Sequence, residues 1–122
     1  MNIGIDIDGT LLAYPEFFVK LGRLWKQSGC HVFIITGNDH SAAVEKLAKV
    51  VENHGDGFYD RLIDTSMYNQ AECAMIGNVR DNEVIVGHFK QRMCLELDVA
   101  IMFDDQAILH RRYGNIPIFE VR

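Results

Sequence analysis

The chain opens with MNIGIDIDGTLL, residues 1–12, in which an apolar run leads directly into two aspartates, Asp6 and Asp8. The run NIGIDI has the composition of a buried β-strand. Side chains two residues apart on an extended chain point to the same face, so the two carboxylates repel each other unless a cation or a shared proton intervenes. Folding gains nothing from this arrangement, and the pair therefore indicates a functional site at the end of the first strand.

Short apolar runs alternate with amphipathic stretches along the rest of the chain. Strands are predicted at NIGIDI, HVFIIT, FYDRLIDT, VAIMF and IPIFEV, and helices at residues 15–28, GNDHSAAVEKLAKVVENHG, HFKQRMCLEL and DQAILHRRYG. The predicted core faces of the first two helices consist of Phe17, Leu21, Leu24 and Trp25, and of Ala43, Val44, Leu47, Val50 and Val51. Pro117 places the last strand at a sheet edge. This alternation predicts an α/β fold, a Rossmann-like doubly wound parallel sheet with helices on both faces.

Composition limits the classes of function. We expect residues 1–122 to form a single domain, because 122 residues at 48% hydrophobic content build one core. The net charge of −5 disfavours nonspecific binding to nucleic acid or anionic membrane. The sequence contains no membrane span and no signal-peptide pattern, and its three scattered cysteines predict neither a disulfide framework nor a zinc site. A cytoplasmic location is expected.

Compact polar groups follow three of the predicted strands. Asp6 and Asp8 follow the first, Thr36-Gly37-Asn38 follows the second, and Asp104-Asp105 follows VAIMF. Ligands of such sheets bind at the carboxyl ends of the strands. Each group alone has a structural explanation, because aspartates cap helices and Asp-Gly forms turns. Four carboxylates at one edge instead indicate a hard divalent cation with oxygen ligands, with Mg²⁺ favoured.

The ordered set DIDGT, IITG, a helical Lys90 and FDD resembles the haloacid dehalogenase-like (HAD) superfamily, whose members are mostly Mg²⁺-dependent phosphatases. The resemblance extends from Asp6 to Asp105. It implies a parallel Rossmannoid sheet and hydrolysis of phosphate monoesters. Asp6 would attack phosphorus and form an aspartyl-phosphate, and Asp8 would protonate the leaving alcohol and then activate water.

The same resemblance implies the binding roles. The Thr36 hydroxyl and the Gly37 amide would hold phosphate oxygens, and Lys90 would offset negative charge. Asp104 would bind Mg²⁺ directly and Asp105 directly or through water, together with the Asp6 carboxylate and the Asp8 backbone carbonyl. Relatives that act on phosphonates or halides generally lack an acid equivalent to Asp8, so its presence favours a phosphatase.

The sequence leaves little room for a cap domain, which many members of this superfamily carry over the site. Only GTLLAY separates Asp8 from Pro15, and residues 66–87 are too few for a second domain. The two alternatives for that segment are a β-hairpin formed by CAMIGNV and EVIVG and a loop with one extra strand. We expect residues 66–87 to supply substrate contacts. An open site fits a phosphorylated small molecule, a nucleotide or a macromolecular end, and a homo-oligomer could cover the rim.

Two other functions are compatible with parts of this pattern. A receiver-type phosphoacceptor domain also clusters acids, a threonine and a lysine beside Mg²⁺. In a receiver the lysine follows the other motifs, whereas Lys90 precedes Asp104 here, so this alternative is disfavoured. The second alternative is a noncatalytic HAD-like binding or interaction module, against which the complete acid set argues.

Overall fold

A computed structural model describes residues 1–76, 82–107 and 114–122. The strands are β1 Asn2–Ile5, β2 His31–Ile35, β3 Arg61–Ile63, β4 Val99–Asp104 and β5 Ile118–Glu120. The helices are α1 Pro15–Gln27, α2 His40–His54, α3 Gln70–Ile76 and α4 Asn82–Glu96. A wide turn at Ile7–Leu11, in which Asp8 and Gly9 have non-helical backbone angles, follows β1, and a 3₁₀ turn at Thr65–Met67 follows β3.

The five strands form one sheet in the order β3-β2-β1-β4-β5, and every neighbouring pair is parallel. The predicted α/β, Rossmann-like fold is therefore confirmed, as is the edge position of the strand after Pro117. The strand order reverses between β1 and β4, which are both central. In open sheets of this type the crevice at such a reversal is the usual place for a ligand.

Helices cover both faces of the sheet, and the alternation of side chains along β2 shows how. Val32 and Ile34 belong to one buried cluster, which contains the core residues of α1 and α2. Phe33 and Ile35 belong to the other cluster, which contains Phe89, Met93 and Cys94 of α4. Because successive strand residues point to opposite faces, α1 and α2 lie on one side of the sheet and α4 on the other.

The core face of α1 differs from the prediction. Phe17 and Leu24 are each 57% exposed, whereas Phe18, Val19 and Gly22 are buried. A Cβ atom at Gly22 would collide with the backbone carbonyl oxygen of Phe58, so the glycine permits the helix to approach this segment closely. Trp25 of the predicted face does pack against the buried cluster, so the prediction is wrong for Phe17 and Leu24. The spacing of large apolar residues does not reveal a close contact made by a glycine, which is why the predicted face is displaced.

The predicted face of α2 is mostly confirmed. Ala43, Leu47 and Val50 are buried, while Val44 is 46% exposed at the flank of the helix. The Asp39 side chain accepts a hydrogen bond from the Ala42 amide and caps the first turn.

The segment before Lys90 forms helices, and the β-hairpin and extra-strand alternatives are wrong for its described residues. CAMI, residues 73–76, lies in α3, and EVIVG, residues 83–87, lies in α4. The core spacing Ile85, Phe89 and Met93 is that of a helix, and packing overrides the strand preference of the β-branched run. The helix predicted for DQAILHRRYG falls largely on residues 108–113, outside the described ranges.

A buried ionic network joins α3 to α4. The Glu72 carboxylate is fully buried and accepts hydrogen bonds from the Arg92 guanidinium, with contacts of 2.8–3.2 Å. Nδ1 of His88 lies 2.8 Å from the same carboxylate. Burial raises the pKa of Glu72, but the hydrogen bonds from Arg92, the Asn69 amide and His88 more than offset this effect, so the pKa lies below its ordinary value. The network fixes α3 against α4.

In the parts of the chain that the structure describes, no helix is long and apolar enough to cross a membrane.

Candidate active site

The chain turns sharply at the end of β1, and this turn separates the two aspartates of the opening motif. The Asp6 amide still donates to the Phe103 carbonyl of β4 at 3.0 Å, and the Asp6 carbonyl accepts from the Leu11 amide at 3.2 Å to close the turn. Gly9 has a φ of +72°, in the left-handed region that favours glycine. The Asp6 side chain is consequently buried at 7% exposure, whereas that of Asp8 is 56% exposed.

Three acids and one lysine meet at the carboxyl ends of β1 and β4. Carboxylate oxygens of Asp6, Asp104 and Asp105 all lie within 4.8 Å of one another. Lys90 reaches them from more than two turns inside α4, and its Nζ donates to Asp6 Oδ1 at 2.7 Å and to Asp104 Oδ2 at 2.8 Å. Lys90 and two of the acids are almost completely buried. The structure thus brings together four residues that the sequence placed at one rim.

Burial and mutual charge shift the proton affinities of this cluster. Burial raises the pKa of Asp6 to about 7, and the Asp104 and Asp105 charges add to this effect, although Lys90 opposes it. Burial and the Asp104 charge also raise the pKa of Asp105. For Lys90 burial acts to lower the pKa, but the adjacent Asp6 and Asp104 carboxylates outweigh it and the pKa is raised. Lys90 is therefore a permanent cation at this position.

The donor set fits a divalent cation. Three carboxylates and one ammonium leave a formal charge of −2 at the cluster when all are ionised, and its oxygens are ligands that Mg²⁺ accepts. Oδ1 of Asp105 is buried and has no hydrogen-bond partner among the described residues, as expected for an oxygen whose partner is an ion. A Cβ atom at Gly9 would collide with the Asp105 carboxylate, so glycine is required beside it.

The Asp8 carboxylate is held apart from this cluster. Its two oxygens accept hydrogen bonds from Lys46 Nζ at 2.8 Å and from Asn38 Nδ2 at 2.7 Å. Burial raises the pKa of Asp8, but these two donors outweigh that effect and hold the pKa below its ordinary value. The predicted metal contact of Asp8 is through its backbone carbonyl, and it stays a prediction.

Thr36 and Gly37 lie immediately beyond β2, next to β1 in the sheet. Thr36 is buried, and its backbone amide donates to Ile63 of β3 at 2.9 Å. The Gly37 amide has no acceptor within residues 1–76, 82–107 and 114–122, so it is available to an anion. A Cβ atom at Gly37 would lie 2.8 Å from both γ carbons of Val86, because the first turns of α4 cover this loop.

Sequence reasoning missed Lys46 and Val86. Lys46 lies three residues after Ala43 and four before Val50, on the same side of α2 as the buried stripe. A lysine at the flank of a buried helical stripe is typically paired with an acid, and the spacing of Lys46 from Ala43 and Val50 can be seen in the sequence. The contact of Val86 with Gly37 depends on the helical path of residues 82–87, which the sequence did not reveal.

Comparisons with known proteins extend the description of the fold. No family model matches the chain, and no curated protein matches it. A chain in the structure of the Pnkp1/Rnl/Hen1 RNA repair complex is similar over 98% of this chain, with a TM-score of 0.60 and 21% identity. The match spans only 42% of that longer chain. A universal stress protein crystallised with cAMP matches over 100% of this chain and 96% of its own, with a TM-score of 0.57 and 9% identity.

At these identities the likeness concerns architecture. The two matched proteins differ in length and in what their structures contain, yet both share the α/β architecture of this chain. The chain is therefore an α/β protein with a Rossmann-like parallel sheet, as its own strand order shows.

Proposed function

We propose that this protein is a Mg²⁺-dependent phosphatase of the HAD type, which hydrolyses phosphate monoesters through an aspartyl-phosphate on Asp6. One observation carries the proposal. A buried lysine bridges the first aspartate of DIDGT to the first aspartate of FDD. A third acid lies beside them, and one of its oxygens has no hydrogen-bond partner in the described part of the chain. A packing role alone does not account for three acids and a lysine at the reversal point of the sheet, where the lysine and two of the acids are buried.

In the first step an Asp6 carboxylate oxygen forms a bond to phosphorus as the bond from phosphorus to the ester oxygen breaks. The leaving alkoxide takes a proton from Asp8 and departs as an alcohol. In the absence of substrate Asp8 is ionised because of Lys46 and Asn38. A phosphate dianion arriving at the rim favours protonation of Asp8, since like charges disfavour the ionised carboxylate.

In the second step water attacks the phosphorus of the aspartyl-phosphate. Asp8, now a carboxylate, accepts the proton of that water, and the bond from phosphorus to the Asp6 oxygen breaks to release inorganic phosphate. The Thr36 hydroxyl and the Gly37 amide would hold phosphoryl oxygens in both steps. Lys90 keeps the Asp6 carboxylate from carrying an uncompensated charge next to the phosphoryl group.

The residues that would hold Mg²⁺ are Asp6, Asp104 and Asp105, with the Asp8 carbonyl as a further oxygen ligand. When bound, the ion would neutralise negative charge shared between these carboxylates and the phosphoryl oxygens.

The substrate class follows from what surrounds the rim. Val86, in the first turns of α4, lies against the loop at Gly37. We expect no cap domain over this rim, so the proposed substrates are phosphorylated small molecules, nucleotides and macromolecular ends. The RNA repair complex among the similar structures is a reason to include oligonucleotides with 3′ or 5′ phosphates in a substrate screen.

The direct test is hydrolysis of an aryl phosphate by the wild-type protein and by Asp6→Asn, each with Mg²⁺ and with EDTA. We expect turnover only in the wild-type protein with Mg²⁺. If the folded wild-type protein hydrolyses no ester of the screen under either condition, the proposed phosphatase activity is wrong. A noncatalytic binding module is then the better interpretation.

A further inference from the structure

Lys46 and Asn38 connect Asp8 to Thr36 through short hydrogen bonds. Lys46 Nζ donates to Asp8 Oδ1 at 2.8 Å and to Asn38 Oδ1 at 2.9 Å. Asn38 Nδ2 in turn lies 2.7 Å from Asp8 Oδ2 and 2.7 Å from Thr36 Oγ1. Both carboxylate oxygens of Asp8 are thus held by groups from α2 and from the loop after β2.

The same contacts set the direction of the Thr36 hydroxyl proton. Oγ1 accepts hydrogen bonds from the Asn38 side chain at 2.7 Å and from the Asn38 backbone amide at 3.1 Å. A hydroxyl has two acceptor positions and one proton, so both acceptor positions are filled and the proton must point elsewhere. Within the described ranges of the chain no group accepts that proton. The hydroxyl proton is therefore available for a hydrogen bond to a bound ligand.

We propose that Lys46, acting through Asn38, is a positioning residue that fixes the Asp8 carboxylate and presents the Thr36 hydroxyl proton to the phosphoryl group. The inference rests on the proposed function. Lys46 touches neither the phosphoryl group nor the leaving group in this account. Its ammonium donates hydrogen bonds both to the Asp8 carboxylate and to the side-chain carbonyl oxygen of Asn38. Because that carbonyl is held, the NH₂ group of the same side chain is directed at Asp8 and Thr36.

A purely structural role predicts a different result from substitution. The Lys46 side chain is 34% exposed and its Asp8 partner 56% exposed, and ion pairs in such surroundings contribute little to stability. Removing the ammonium should therefore leave the protein folded. Lys49 provides a matched control, because it lies one turn further along α2 and, among the described residues, pairs only with the exposed Glu45, at 3.8 Å.

The experiment compares the wild-type protein with Lys46→Met, Lys46→Arg and Lys49→Met. The side-chain amide signals of Asn38, assigned by their loss in Asn38→Ala, are followed by NMR. Inorganic phosphate binding is titrated on the same samples. The rates with an aryl phosphate, which has a good leaving group, and with an alkyl phosphate, which has a poor one, are then measured with Mg²⁺.

In Lys46→Met we expect displaced Asn38 amide signals, several-fold weaker phosphate binding and an unchanged thermal midpoint. We expect kcat to fall about tenfold or more for the alkyl phosphate and much less for the aryl phosphate, because a positioned acid contributes roughly 100-fold or more where the leaving group is poor. Lys46→Arg should recover part of the loss, and Lys49→Met should behave as wild type.

If Lys46→Met matches Lys49→Met in the amide signals and in phosphate affinity, or if both esters slow equally, the inference is overturned. A wild-type protein without Mg²⁺-dependent turnover overturns the proposed function instead. In that case the amide signals and phosphate affinity still decide whether Lys46 controls the Asn38 contacts.

Discussion

Replacing Lys90 by methionine tests the electrostatics of the buried cluster. The substitution preserves most of the apolar side-chain volume and removes an ammonium that lies 2.7 Å from Asp6 and 2.8 Å from Asp104. At an effective dielectric constant of 20, the gross attraction in one such contact is about 6 kcal/mol. Desolvation offsets much of this, and removing one partner of a buried ion pair costs about 3–5 kcal/mol. We therefore expect the free energy of unfolding to fall by about 3 kcal/mol or more at pH 8 in metal-free buffer.

The loss should depend on pH in a defined direction. Asp6 has a folded pKa of about 7, raised from 3.8, so the folded state binds more protons than the unfolded state between these values. This carboxylate therefore lowers stability as pH rises through that window. Without Lys90 the Asp6 pKa rises further, and the decline extends to higher pH. At pH 6 Asp6 is mostly protonated in the wild-type protein as well as in the variant, so the attraction between Lys90 and an ionised Asp6 contributes less and the loss should shrink.

The assay is urea unfolding of wild type, Lys90→Met and Lys49→Met at pH 6 and pH 8 in the presence of EDTA. Lys49→Met should stay within about 0.5 kcal/mol of wild type, as surface substitutions do. A loss below about 1 kcal/mol for Lys90→Met at pH 8 would contradict the 3–5 kcal/mol expected for a broken buried pair. A larger loss at pH 6 than at pH 8 would refute the assignment of the raised pKa to Asp6.

Three further predictions concern other parts of the molecule. Gly9→Ala should weaken Mg²⁺ binding, measured by calorimetry, because the added Cβ displaces the Asp105 carboxylate. The alanine must also adopt the positive φ of this position, which should lower stability by about 1–2 kcal/mol. Unchanged Mg²⁺ affinity would contradict the placement of Asp105. Glu72→Gln should lower stability at pH 7 by about 1–3 kcal/mol, because Arg92 loses its buried carboxylate partner while it keeps its pair with the exposed Glu96. The folded pKa of Glu72 is depressed, so its contribution is present above its ordinary value of 4.5 and is lost as pH falls. The variant should therefore show less acid sensitivity than wild type in thermal scans at pH 3–7. Cys94, whose pKa burial raises to about 12, should resist iodoacetamide at pH 8 in the native protein and react in urea, and mass spectrometry of peptides will show whether it does.

The sheet was predictable because its signals are local. Continuous apolar runs such as HVFIIT are typical of strands buried on both faces, and their alternation with helices leaves few topologies. Polar groups at strand ends then fall at one rim without any knowledge of side-chain geometry. This is why Asp6, Thr36 and Asp104 could be placed together.

Other features were not predictable because they arise from packing between distant segments. The face of α1 is decided by Gly22 beside Phe58, a contact between elements separated by β2 and α2. Residues 83–87 have strand-forming side chains, yet the core spacing from Ile85 to Met93 makes them helical. The separation of Asp8 from Asp6 follows from the wide turn at Ile7–Leu11, whose backbone path residue spacing does not predict.

The central claim is that Asp6 becomes covalently phosphorylated, and trapping the intermediate tests it directly. In Asp8→Asn an aryl phosphate should still phosphorylate Asp6, because its leaving group needs little protonation, while hydrolysis of the intermediate should slow. Borohydride reduces an acyl phosphate to the alcohol, so peptide mass spectrometry after incubation with Mg²⁺ should find homoserine at position 6. The signal should be absent with EDTA and absent in Asp6→Asn. Rapid phosphate release by the wild-type protein, with no homoserine at position 6 in Asp8→Asn, would contradict the account.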